Sequence, residues 1–129
     1  MNIKIDIIDH GKQRYDTVGD WYYDASNVLH IKVSKMADAR HELLVAIHEM
    51  IEAVLCEEEN IAEEEVTAFD VAYEANRKDG DVTEPGDSIK APYYKQHQIA
   101  TGMEKILAAV MHVDWNSYEK DINQLVWRT

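Results

Sequence analysis

The hydrophobic periodicity of this chain changes once, near residue 34, and that change limits the fold class. Before it, Ile3, Ile5 and Ile7 alternate with Lys4 and Asp6, and Leu29, Ile31 and Val33 alternate with His30 and Lys32. A period of two puts every second side chain on one face of a strand. After it, Leu43, Leu44, Ile47, Met50, Ile51, Val54 and Leu55 recur three and four apart, which gathers them on one side of a helix. Strands first and helices afterwards predict an α+β fold and not a wound α/β one.

Between the two alternating runs, Tyr15 to Asp24 mixes aromatic and β-branched residues with Gly19 and Asp20 and reads as a further strand with a bend. Turns at His10–Lys12 and Ala25–Asn27 join the three into an expected antiparallel β-meander over residues 1–34. With only one apolar face, that meander needs a helix to cover it. The helical part, 38–129, opens with the helix described above, entered through Ser34 or Asp38 as N-cap and running to about Glu58. Asn60 with Glu63 makes a capping box for a second helix, with Ala62, Val66, Phe69 and Tyr73 as its seam and Gly80 as its stop. Pro92 fits the first turn of a third, whose seam is Ile99, Met103, Ile106, Leu107 and Val110. Asn116 with Glu119 opens a last helix using Tyr118, Ile122, Leu125 and Val126. The stretch Asp79–Pro92, rich in Gly, Pro and Asp, has no periodicity; a loop of that length is either mobile or holds a site.

At 129 residues the chain is expected to form a single domain, 1–129. Its 25 acids against 13 bases give a net charge of −12, which repels phosphate backbones, so no nucleic-acid partner is expected. No apolar run is long enough for a membrane span, and the N-terminus carries acids and no small-residue cleavage site. With Cys56 as its one cysteine and no intramolecular disulfide, the expected compartment is the cytoplasm. Trp21, Trp115 and Trp127 read as core or edge anchors, since no basic residues interleave with them. A one-faced sheet and exposed tyrosines permit a homodimer.

The candidate chemistry lies in His48-Glu49-Met50-Ile51-Glu52. His48 and Glu52, four apart, stack one turn above the other on the edge of the buried face, with Glu49 beside them. An imidazole and a carboxylate in that relation suit a divalent metal. The second helix offers Asp70 and Glu74 on its flank, and the third His97 and Glu104, seven apart on one stripe. If these stripes converge, His48, Glu52 and one of His97, Asp70 or Glu104 supply three ligands and leave a position open. A catalytic zinc needs that arrangement, and Glu49 would be the base. The competing expectation is structural: in so acidic a chain, every amphipathic helix carries charged flanks. His10, His30, His41 and His112 read as surface or edge histidines, and Cys56 as a small helix residue.

The segment LVAIHEMIEAVL, Leu44 to Leu55, resembles the active-site helix of small zincin-type metallopeptidases, in which a short antiparallel sheet precedes an HExxH helix. The resemblance implies that His48 is the first ligand and Glu49 the base, with Glu52 standing where the family has its second histidine (HExxE). It further implies zinc, with magnesium or manganese as the alternatives, and a peptide or small-molecule substrate. The stretch EPGDSIKAPYYKQHQIATGMEKILAAVMHVDWNSYE loosely resembles short proteins of phages and prophages, which implies a phage source and the host cytoplasm. Glu49 and Glu52 also match the ExxE pair of MazG-type nucleotide pyrophosphatases, which hold magnesium with an ExxD pair on the next helix. There Asp70 would need an acid where Thr67 stands. The leading expectation is a metal-dependent hydrolase of metallopeptidase type. The alternatives are a non-enzymatic phage accessory protein that binds another protein, and a MazG-like magnesium hydrolase.

Overall fold

In the structure, a computed structural model that describes residues 1–126, the chain forms a sheet followed by helices, the expected α+β order. Trp127 lies outside the described residues. Strands β1 (Ile3–Ile8), β2 (Gly19–Tyr23) and β3 (Leu29–Ser34) build one sheet in the order β1-β3-β2. Helices α1 (Ala39–Glu58), α2 (Glu63–Ala75), α3 (Tyr94–Val110) and α4 (Trp115–Leu125) follow.

The sheet corrects the expected antiparallel meander. β2 runs antiparallel to β3, but β1 pairs with β3 in parallel, with Ile3 opposite Leu29 and Ile7 opposite Val33. Residues 9–18, which include a 3-10 turn at His10–Lys12, carry the chain past the position that β3 later fills. Alternation tells which side chains share a face; it carries no information about the direction of a neighbouring strand. β3 takes the centre because Leu29, Ile31 and Val33 are fully buried, while β1 keeps Lys4 and Asp6 near solvent at the edge.

Helix α1 packs across β2 and β3, burying Leu44, Val45, Ala53 and Cys56. It does not reach over β1, so Ile3, Ile5 and Ile7 stay exposed although they share a face with the core residues of β3. Of the two candidate caps for α1, Asp38 serves: its side chain accepts from Arg40 N at 2.8 Å. Helix α2 starts from Ala62, because Asn60 adopts a left-handed φ of 57° in the turn before it. It ends at Ala75, ahead of Gly80. Asp114, not Asn116, caps α4, its carboxylate accepting from Ser117 N at 2.9 Å.

Helix α3 departs furthest from expectation. Of its expected seam, Ile99, Met103, Ile106 and Val110 are 42%, 50%, 68% and 70% exposed. The residues facing inward are Gln96, His97, Ala100, Glu104 and Ala108. The helix is rotated so that its polar flank lies against α1, and the reason is the polar group waiting there. No helix among the described residues is long and apolar enough to cross a membrane.

Candidate metal centre

Helices α1 and α3 pack side by side and bring together three of the residues singled out by the sequence. His48 Nε2 lies 3.1 Å from Glu52 Oε2 and 3.1 Å from His97 Nδ1, and His97 Nδ1 lies 2.9 Å from the same Glu52 oxygen. All three side chains are buried. The helical i,i+4 spacing supplies the first pair, and the inverted face of α3 supplies the third member.

Other groups fix the orientation of this triangle. His48 Nδ1 sits 2.7 Å from Glu104 Oε1. Trp21, projecting from β2, donates its indole N–H to Glu52 Oε1 at 3.1 Å, leaving Oε2 for the histidines. His97 Nε2 faces Glu84 Oε2 at 3.2 Å and Asp87 Oδ1 at 3.3 Å, on the loop between α2 and α3. Two glycines give the cluster room. A Cβ on Gly19 would come within 2.6 Å of Glu49 Oε1 and 2.7 Å of a Val45 methyl, and one on Gly86 would run into the His97 ring.

These partners decide the tautomers. With its Nδ1 proton donated to Glu104, a neutral His48 turns the Nε2 lone pair toward Glu52 and His97. With a proton on the Nε2 that faces the loop acids, a neutral His97 turns its Nδ1 lone pair to the same point. Two nitrogen lone pairs and a carboxylate oxygen then converge, an arrangement that only protons or a cation make favourable. The structure's own electrostatics say the same of the metal-free state. Burial alone would lower the His48 pKa, but Glu104 and Glu52 outweigh it and raise it well above the usual value. Burial works likewise against His97, which Asp87, Glu52 and Glu84 raise far above it. Burial would raise Glu52, but the two imidazoles bring it down to about 2.

The donor set fits a divalent ion. Edges of 2.9 to 3.1 Å approach the ~3.3 Å ligand spacing of a tetrahedral site with bonds of about 2.0–2.1 Å. Two histidines and one glutamate are the set of several catalytic zinc sites, here with the glutamate on the motif helix and the second histidine on another. Glu104 on the remaining nitrogen of His48 makes the carboxylate–histidine pairing that orients metal ligands. Glu104 therefore supports the ligand group from outside it.

Glu49 lines the cavity beside the triangle, a space of about 70 Å³ with room for a few water molecules. It accepts no hydrogen bond from any described residue, and burial together with Glu52 raises its pKa well above the usual value. Asp70 lines the same cavity outside the ligand group. It accepts from the Tyr15 hydroxyl at 2.9 Å and from the Tyr93 hydroxyl, and burial, opposed by Tyr93 and reinforced by Glu52, pushes it up to about 7. Cys56 is fully buried, its thiol pushed up to about 12 by burial and the acids nearby, which makes it a poor nucleophile.

Sequence reasoning missed Trp21, Tyr15 and Tyr93 as polar partners, and the acids of the loop. Trp21 alternates with Gly19 and Tyr23 toward the helix, so its position was readable but its hydrogen bond was not. The signal for Glu84 and Asp87 was their place on either side of Pro85-Gly86 in a loop long enough to hold a site. His41 proves buried, paired with Asp121 of α4 at 2.7 Å, while His112 is exposed. Comparisons with protein-family models, curated proteins and solved structures return no match.

Proposed function

We propose that the chain is a metal-dependent hydrolase that holds one divalent ion, zinc above magnesium or manganese, through His48, Glu52 and His97. The observation that carries this reading is the convergence of three ligand atoms from two helices, with Glu104 hydrogen-bonded to the outer nitrogen of His48 and two loop carboxylates close to that of His97. The ion supplies Lewis-acid chemistry and a water whose pKa falls to roughly 7. Glu49 stands beside the ligands on the cavity wall and is the group that takes a proton from water and passes it to a leaving amine. Trp21 and Glu104 hold Glu52 and His48 in place.

The cavity favours an amide over a nucleotide. Its lining includes seven acids and, among the described residues, no lysine or arginine to meet a triphosphate. Thr67, where a MazG-like site needs an acid, lines the cavity with no charge. The non-enzymatic alternative draws its support from the outward apolar stripe of α3.

Elemental analysis of protein purified without a metal-affinity column tests the reading. At least one tightly held zinc per chain is expected, and one fewer in both His48→Ala and Glu52→Ala. Protein free of metal, with a melting temperature unchanged by EDTA, overturns it. Hydrolysis of a peptide library, abolished in Glu49→Gln while zinc is retained, is expected of the enzyme.

A further inference from the structure

The His97 ring has a second nitrogen, and its surroundings are also those of a ligand. His97 is 5% exposed, and its Nε2 makes no properly directed hydrogen bond with any described residue. It nevertheless lies close to two carboxylate oxygens, Glu84 Oε2 at 3.2 Å and Asp87 Oδ1 at 3.3 Å, neither of which meets hydrogen-bond geometry with it. The three atoms lie within 4.8 Å of one another. We propose that Glu84, Asp87 and His97 Nε2 form a second, outer site for a divalent transition-metal cation, the His97 ring being shared between this ion and the inner one.

Local structure places both acids. They sit at the two ends of the 3-10 turn Pro85–Asp87, where each carboxylate accepts from the other residue's backbone N–H, so their spacing is set by the turn. Gln98 also donates to Asp87 Oδ1 at 3.3 Å, from the next position along α3. Gly86 lets the turn press against the imidazole, which a side chain there would displace. Both acid side chains are partly open to solvent, at 37% and 44%, so an ion reaches this site without passing through the inner one.

One imidazole nitrogen with two carboxylate oxygens suits Mn²⁺, Co²⁺ or Zn²⁺; Ca²⁺ and Mg²⁺ prefer oxygen alone. With the inner ion on Nδ1, the outer ion takes the place of the Nε2 proton, which leaves to solvent, so filling the outer site releases one proton per chain. This inference shares His97 with the proposed hydrolase site but stands or falls separately, since Nε2 remains a ligand when the inner site is empty.

The experiment is titration of metal-free full-length protein with Zn²⁺, read by calorimetry and by elemental analysis after gel filtration. It compares wild type, E84Q/D87N and H48Q/E52Q, each first shown to be folded by circular dichroism. Two ions per chain in wild type and one in each double variant are expected. One ion in wild type and still one in E84Q/D87N overturns the outer site and leaves the inner one standing; the loop acids would then only orient His97. One ion in wild type, lost in E84Q/D87N and kept in H48Q/E52Q, supports the outer site and overturns the inner. No binding overturns both. Cobalt substitution checks the shared ring: the two-ion form is expected to show an electron paramagnetic resonance signal below twice that of the one-ion form, and a simple doubling overturns the sharing.

Discussion

His48 Nε2 and His97 Nδ1 stand 3.1 Å apart across the interface of two helices, with the same Glu52 oxygen within reach of both. Two basic nitrogens brought that close in a buried place repel unless something positive lies between them. In the metal-free protein that role falls to protons, and the carboxylates around the rings keep them bound. A divalent ion would replace them with a single centre of charge.

Removing the carboxylate behind His48 separates ligand from support. Glu104→Gln is expected to bind zinc with unchanged stoichiometry but about 10–100-fold more weakly. Competition against a chromogenic chelator measures this. Loss of the ion altogether would make Glu104 a ligand, contrary to its position on Nδ1.

The glycine under Glu49 tests the packing of strand against helix. Gly19→Ala places a methyl 2.6 Å from a Glu49 oxygen and 2.7 Å from a Val45 methyl, and both must move. A loss of about 1–3 kcal/mol is expected in urea unfolding. Gly11→Ala, with open space around it, is the control and is expected to leave stability within about 0.5 kcal/mol.

Asp70 gives a pH dependence of definite sign. Its folded pKa is raised, from 3.8 to about 7, so between those values the native state binds more protons than the unfolded one. Stability contributed by this group is therefore full below about pH 4, falls as pH rises, and is gone above about pH 7. At 1.36 kcal/mol per unit the cost is at most ~4 kcal/mol. Asp70→Asn removes it but weakens one tyrosine hydrogen bond, worth about 1–3 kcal/mol. The metal-free variant is expected to gain stability over wild type from about pH 4 to about pH 7, and to hold that gain at pH 8, in parallel melts. A constant difference across that range would show that Asp70 titrates at its ordinary value.

The rotation of α3 is open to a paired measurement. Ile106→Gln, on the outward face, is expected to change stability by no more than about 0.5 kcal/mol. Ala100→Leu, on the inward face where Ala100 is fully buried, is expected to cost about 1–3 kcal/mol. The opposite ranking would restore the seam read from the sequence.

That seam shows where sequence reading stops. The two periodicities yielded the α+β order, the three strands and the four helices, since each depends on local spacing. The direction of β1 depends on a partner 26 residues away, Ile3 on Leu29, which no spacing encodes. In α3 the rule that apolar stripes face inward met a stronger demand. His48 and Glu52 are buried on α1, and a buried charged group costs more to leave unpaired than four apolar side chains cost to leave in water. His97 and Glu104 answer that demand, so the helix turns its polar side in. The motif itself was legible as HExxE, with His97 among the candidates for its third ligand; choosing His97 over Asp70 and Glu104 required the tertiary packing. The hydrogen bond of the Trp21 indole to Glu52 and the approach of the 84–87 acids to His97 depend on tertiary packing and left no pattern in the sequence.

A helix that buries its polar flank presents an oily ridge, Ile99 to Val110, to whatever passes by. The excess negative charge of the chain, −12, opposes self-association along it by repelling other copies through space. That mutual repulsion fades with ionic strength, over about 10 Å at 0.1 M and about 3 Å at 1 M salt. Colloidal behaviour is thus tied to the packing of the buried cluster: concentrated salt, which spares that cluster, is the condition under which self-association along the third helix is expected.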